Sequence, residues 1–137
     1  MPLSAGSLRR RTAFDNSGIV IDRLAWALLA LLHLPPALAL ARPGMIETLY
    51  GVPRGAPTFL LLQHRAALFL VMLVICLWAM ADQGVRRLAS VAAALSMLSF
   101  LILYWLAGAP AALRPIALAD LMLVPVLAFA GWRAYSA

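Results

Sequence analysis

Residues 58–81 read TFLLLQHRAALFLVMLVICLWAMA, an apolar run whose polar residues, Gln63, His64 and Arg65, all lie near its start. At ~1.5 Å per residue, a helix of this length crosses the ~30 Å hydrocarbon core of a bilayer. The sequence therefore predicts an all-α fold, an integral membrane four-helix bundle. The other three apolar runs that predict spanning helices are residues 18–41, 88–106 and 112–131.

The composition of the chain agrees with this prediction. Of its 137 residues, 65% are hydrophobic and only 12% are charged, whereas soluble domains are about 45–50% apolar and about 25% charged. A soluble chain this short could not bury so much apolar surface, so lipid must cover it. We expect one transmembrane domain over residues 18–137, preceded by an arginine-rich tail of residues 1–17 on the membrane surface.

The charged residues exclude several classes of function. All eleven basic residues are arginine, which excludes a P-loop lysine, a Schiff-base lysine and a Ser–Lys pair. The net charge of +6 comes mostly from arginines that flank the spans, where they attract anionic lipid, so no nucleic-acid partner is expected. Cys76 is the only cysteine, which excludes an internal disulfide and predicts a plain packing residue.

The distribution of arginine predicts the orientation in the membrane. Four spans place both termini on one side, and the side that is richer in arginine is normally cytoplasmic. We therefore expect cytoplasmic termini, an outward-facing loop of residues 42–57, and a multi-pass protein of a cell inner membrane. Seven arginines fall on the side of the termini, Arg9, Arg10, Arg11, Arg23, Arg86, Arg87 and Arg133, against four on the other, Arg42, Arg54, Arg65 and Arg114.

The first span contains a proline pair and has a second interpretation. Pro35 has no N–H to donate to the carbonyl of Leu31, which predicts a kink near His33. The basic residues, the apolar stretch and residues 37–39, which read ALA, also resemble a secretory signal with its cleavage site. The apolar stretch is at the long end for a signal core, which favours a spanning helix.

The loop of residues 42–57 contains a short helical pattern. Four apolar residues at helical spacing predict a helix that lies in the membrane interface and ends at Gly51. Glu47 is expected to form a surface ion pair with Arg42 or Arg54. The four apolar residues are Met45, Ile46, Leu49 and Tyr50.

Four polar residues, one from each span, fall near one depth in the membrane. Counted from the outer ends of the spans, they lie roughly 9–12 Å inside. Ionisable residues in a span are costly, so they should face the bundle interior and are candidates for a functional site. The four are His33, His64, Ser99 and Asp120, flanked by Gln63 and Arg65.

Several interpretations of this constellation stay open. In one interpretation Arg65 and Asp120 simply pair, with one or both histidines hydrogen-bonded to them, and set the register of the helices. Alternatively, His64 and Arg65 hold the polar head of a lipid-like or quinone-like molecule, with His33, Ser99 and Asp120 in support. In that case Met97 and Phe100 would help to line the apolar slot.

A haem or metal site is a further interpretation. His33 and His64 lie at equal depth on different helices, as axial haem ligands would, although helices 8–10 Å apart leave little room for a macrocycle. His33, His64 and Asp120 with a water would suit zinc. A His/Asp pair can also move protons, but no nucleophile stands out, so binding is favoured over catalysis.

An accessory subunit of a larger membrane complex, or a homo-oligomer, is a different class of function. Ala89, Ala93 and Ser96 form a stripe of small residues that suits close helix packing. In this interpretation the stripe is the contact face for a partner helix, and the polar constellation is a structural lock.

Five short segments occur in an order that resembles a known group of proteins: His33-Leu34-Pro35, Leu49-Tyr50-Gly51, His64-Arg65-Ala66, Ser96 to Phe100 and Ala119-Asp120-Leu121. The chain is similar to small four-helix bacterial membrane proteins that are loosely related to the DoxX-like families, over most of residues 18–131. The resemblance implies the four-helix topology. It also implies that His33, Tyr50, His64, Arg65 and Asp120 belong to one ligand-binding site.

Overall fold

The computed structural model describes the backbone of residues 5–136 and the side chains of residues 17–136. Within this part of the chain there are helices and no strands, which confirms the all-α prediction. Four helices are long and apolar enough to cross a membrane, as in a multi-pass membrane protein. The helices are α1 (Ala5–Ala41), α2 (Gly44–Tyr50), α3 (Pro57–Ala81), α4 (Arg86–Leu106) and α5 (Arg114–Ser136), with 3-10 turns at Gln83–Val85 and Ala111–Leu113.

The predicted span boundaries agree closely with the helices except at two ends. Residues 1–4 of the predicted tail lie outside the described residues, and from Ala5 onward the backbone is helical and continuous with the first span. Most polar residues cost at most about 0.7 kcal/mol each in a helix, so polar composition alone does not end one. At the other end of the chain, α5 continues through Gly131 to Ser136.

The lipid-facing surface of the bundle is apolar on every spanning helix. Large side chains such as Leu60, Leu106 and Met122 are mostly exposed. A soluble monomer rarely exposes apolar patches of more than a few hundred Å². Acyl chains would cover this surface in a bilayer, which is the physical reason why the exposed faces are so uniformly apolar.

The main core lies toward the end of the bundle where the first candidate span begins and α5 ends. We call this the Asp22 end. Small residues such as Ala79, Ala89 and Ala93 are fully buried here beside Trp26 and let the helix backbones approach closely. Cys76 is fully buried in the same cluster, as predicted. A second, smaller cluster at the opposite end of the bundle, the α2 end, consists of Ala39, Ile46, Phe59 and Ala66.

The small-residue stripe of α4 does not form a free contact face. Ala89 and Ala93 are wholly covered by the other helices of the same chain, and Ser96 borders an internal cavity. The prediction that this stripe receives a partner helix is therefore wrong. The stripe is explained by packing within the chain, because small side chains are needed where the chain's own helices approach closely.

A buried ion-pair network joins the helices at the Asp22 end. Asp22 accepts hydrogen bonds from Nη1 of Arg86 at 3.0 Å and from Nε and Nη2 of Arg133 at 2.9 and 3.2 Å. Nε of Arg86 also donates to the carbonyl of Ala79 at 3.0 Å. The network therefore connects α1, α3, α4 and α5, and it brings the middle of α1, where the first apolar run begins, beside the end of α5.

The sequence does not predict this network. In the sequence, Asp22, Arg86 and Arg133 each lie beside an apolar run, which indicates only charges at the ends of spans. Yet Asp22 and Arg86 are only 7% and 6% exposed. A single acid at the end of the first span, at the same membrane level as arginines on two other spans, was the available signal.

Candidate functional site

The helices enclose a cavity of about 710 Å³. Along the bundle, it lies between the main core and the α2 end. All five helices border it, mainly with Leu, Met, Phe and Pro side chains. Its volume falls within the range of roughly 300–1,000 Å³ that is typical of small-molecule sites. Its polar lining residues are few: His33, Tyr50, Arg65, Ser96, Ser99 and Asp120.

Five of the six predicted site residues border this cavity, and so do Met97 and Phe100. The exception is His64, whose side chain is exposed on the outer surface of α3. Successive residues of a helix point about 100° apart, so the inward direction of Arg65 turns His64 away. The structure brings together His33, Tyr50, Arg65, Ser99 and Asp120 and leaves His64 outside.

His33 lies deep in the bundle with one ring nitrogen occupied. The residue is 1% exposed, and its Nδ1 donates to the carbonyl of Leu29 at 2.7 Å. Since a carbonyl can only accept, the neutral ring carries its proton on Nδ1 and a lone pair on Nε2. Nε2 has no hydrogen-bond partner among the described residues, so His33 contributes an acceptor to the cavity.

Arg65 is held by aromatic rings. Its guanidinium carbon lies 5.3 Å from the ring centroid of Phe69 on α3 and 5.4 Å from that of Phe100 on α4. Such cation–π contacts attract the charge while they leave the N–H edge of the guanidinium available. The centroid of the Phe69 ring is also 5.9 Å from that of His33, so Phe69 connects the two polar groups.

The predicted ion pair between Arg65 and Asp120 is not formed. No carboxylate oxygen among the described residues lies within 4.0 Å of an Arg65 nitrogen. Asp120 is 8% exposed and accepts no hydrogen bond from the part of the chain that is described. Both residues border the cavity without contacting each other, so the polar groups of both side chains can bind a ligand there.

Helix α1 continues through its proline pair. Pro35 and Pro36 lie inside the helix and have no N–H to donate to the carbonyls of Leu31 and Leu32. All four residues border the cavity. The proline pair therefore does not end the helix, although it leaves two carbonyls without their usual helical donors.

Helix α2 closes the opposite end of the cavity. It ends at Tyr50, and Gly51 adopts the left-handed conformation with φ of 64°, as the sequence predicted. Ile46 is fully buried against the second core cluster and anchors the helix, which brings Tyr50 to the cavity. The predicted surface pair is also present, since Arg54 Nε lies 3.3 Å from Glu47 Oε1.

The arrangement does not suit the haem and metal sites considered from the sequence. His33 is buried beside the cavity, whereas His64 lies on the outer surface, so they cannot ligate one haem from opposite faces. Within residues 17–136, no three His, Cys, Asp or Glu side chains converge as metal ligands. Equal depth along two helices had suggested a shared site, but depth does not determine the direction of a side chain.

Comparisons with protein-family models, with curated proteins and with solved structures gave no match. The similarity to DoxX-like proteins therefore stays a prediction, and the site is interpreted from its own geometry. Within that geometry, Ser96 is a lining residue that the sequence did not predict.

Proposed function

We propose that this chain is a membrane protein that binds a lipid-like or quinone-like amphiphile in the cavity between its helices. The observation that carries the proposal is the cavity itself, in which His33, Arg65 and Asp120 border a mainly apolar space without satisfying one another. An apolar tail would gain about 25 cal/mol for each Å² removed from water. A polar head would supply the hydrogen-bond partners that the three side chains lack.

The position of the cavity supports entry of the ligand from the bilayer. Leu28 and Leu31 of α1, Leu68 of α3 and Leu103 of α4 border it and are also exposed at the lipid-facing surface. The packing between α3 and α4 is much less extensive than that between α1 and α3 or between α4 and α5. An amphiphile would thus enter sideways, with no need to cross water.

Replacement of His33 by phenylalanine tests this function. The variant keeps an aromatic ring beside Phe69 but removes the acceptor Nε2, so we expect at least a tenfold loss of bound amphiphile, about 1.4 kcal/mol. Native mass spectrometry after gentle extraction would measure the ligand mass. His64→Phe is the matched control, because His64 lies outside the cavity. A wild-type chain with no added mass, or equal ligand in both variants, would contradict the proposal.

We also propose that the protein resides in a bacterial inner membrane with both chain ends in the cytoplasm. The contact of Asp22 with Arg133 places the beginning of the first apolar run and the end of α5 at one end of the bundle, and seven of the eleven arginines are predicted on that side. A fluorescent protein fused after Ala137 should fold, and alkaline phosphatase fused there should be inactive. An active phosphatase would show the reverse orientation.

A further inference from the structure

The cavity is bordered by two acceptors that lack donors. Nε2 of His33 and the carboxylate of Asp120 have no hydrogen-bond partner among the described residues, and the residues are 1% and 8% exposed. No fully buried side-chain nitrogen or oxygen in the described part of the chain lacks a partner, so these acceptor atoms are open to the cavity that both residues border. A ligand in the cavity with an O–H or N–H donor can therefore reach one of them.

The same cavity is balanced in charge. Among residues 17–136, Arg65 and Asp120 are its only charged lining residues, and their formal charges cancel. A head group with a net charge would leave one uncompensated charge in a low-dielectric site, which is expensive. A neutral head leaves the balance undisturbed, so the lining favours an uncharged ligand.

We infer, resting on the proposed function, that the ligand is a neutral amphiphile with a hydroxyl head, of the long-chain alcohol or acylglycerol type. Its O–H donates to Asp120 or to Nε2 of His33, and its oxygen accepts from the N–H edge of Arg65. A ketone or quinone carbonyl accepts from Arg65 but leaves both of these acceptors without a donor. A carboxylate would be repelled by Asp120, and an ammonium group by Arg65.

The test compares four probes of one chain length on the full-length protein in nanodiscs at neutral pH. They are 1-hexadecanol, 2-hexadecanone, hexadecanoic acid and hexadecylamine, and each competes with radiolabelled 1-hexadecanol. We expect the alcohol to bind at least tenfold more tightly than the other three. If no probe binds, the proposed function fails. If the ketone, acid or amine binds best, the cavity is a binding site but the inference about its head group is wrong.

Substitutions that change the charge of the site should change which of the four probes binds most tightly. Asp120→Asn leaves Arg65 uncompensated, so hexadecanoic acid should become the preferred probe. Arg65→Gln leaves Asp120 uncompensated, so hexadecylamine should be preferred. The double variant is neutral again and should return to the alcohol, which also shows that the substitutions are tolerated.

His64→Gln is the control, because it changes the neighbour of Arg65 without changing the lining of the cavity. It should leave the order of the probes as in the wild type. A merely structural role of Arg65 and Asp120 would lower the affinity for all four probes together. An order that stays the same in both single variants would overturn the inference.

Discussion

Replacing Asp22 with alanine is expected to lower the free energy of unfolding by about 3–5 kcal/mol, because it leaves a buried charge without its partner. The side chain of Arg86 is 7% exposed, and without Asp22 the carbonyl of Ala79 is its one remaining hydrogen-bond partner among the described residues. Arg133 has a 41% exposed side chain and can turn toward the membrane interface. The loss of stability should therefore arise mainly from the unpaired charge of Arg86.

Reversible unfolding in mixed micelles would measure this effect. Glu47→Ala is the matched control, since the pair of Glu47 with Arg54 is exposed and such pairs contribute about 0–1 kcal/mol. The double variant Asp22→Leu with Arg86→Met should recover much of the stability, because it removes both buried charges. If Asp22→Ala lowers the free energy of unfolding no more than Glu47→Ala does, the network does not stabilise the bundle.

Replacing Ala119 with tryptophan is expected to reduce the affinity for the amphiphile at least a hundredfold, about 2.7 kcal/mol. Ala119 borders the cavity next to Asp120, so an indole ring there would occupy the space of the head group. The bundle should remain folded, because the ring enters a space that is already open. Ligand retained per chain, together with the melting temperature, measures both effects.

Ala128→Trp is the matched control for this substitution. Ala128 is on the same helix but is exposed and does not border the cavity, so lipid can accommodate its ring. If Ala119→Trp lowers the melting temperature, the smaller Ala119→Leu gives an intermediate loss of ligand in a folded chain. Full ligand content in a folded Ala119→Trp protein would place the binding site elsewhere.

The level of the candidate site could be predicted from the sequence, but which of the neighbours His64 and Arg65 belongs to it could not. His33, Arg65, Ser99 and Asp120 share a depth because each is counted along a helix of known rise, which is a local quantity. Whether His64 or Arg65 points inward depends on the rotation of α3 about its axis. That rotation is set by the residues of α1 and α4 against which α3 packs.

The same distinction explains the interpretations that failed. Ala89 and Ala93 do suit close packing, but only the arrangement of the helices shows that the partner is the chain itself. Arg65 and Asp120 are opposite charges at one level, yet Phe69 and Phe100 hold the guanidinium away from ion-pair distance. The network of Asp22 joins residues that are far apart in sequence, and no spacing rule connects them.

The sequence alone determined the number of helices, nearly all of their boundaries and the lipid-covered character of their outer faces. These follow from the length of each apolar run and from local signals such as Gly51, which act within a few residues. The tertiary structure alone decided which side chains meet, namely the ion pairs of Asp22 and the lining of the cavity. The physical reason is that the axial rotation of each helix is a property of packing among helices, whereas its length is a property of the run that forms it.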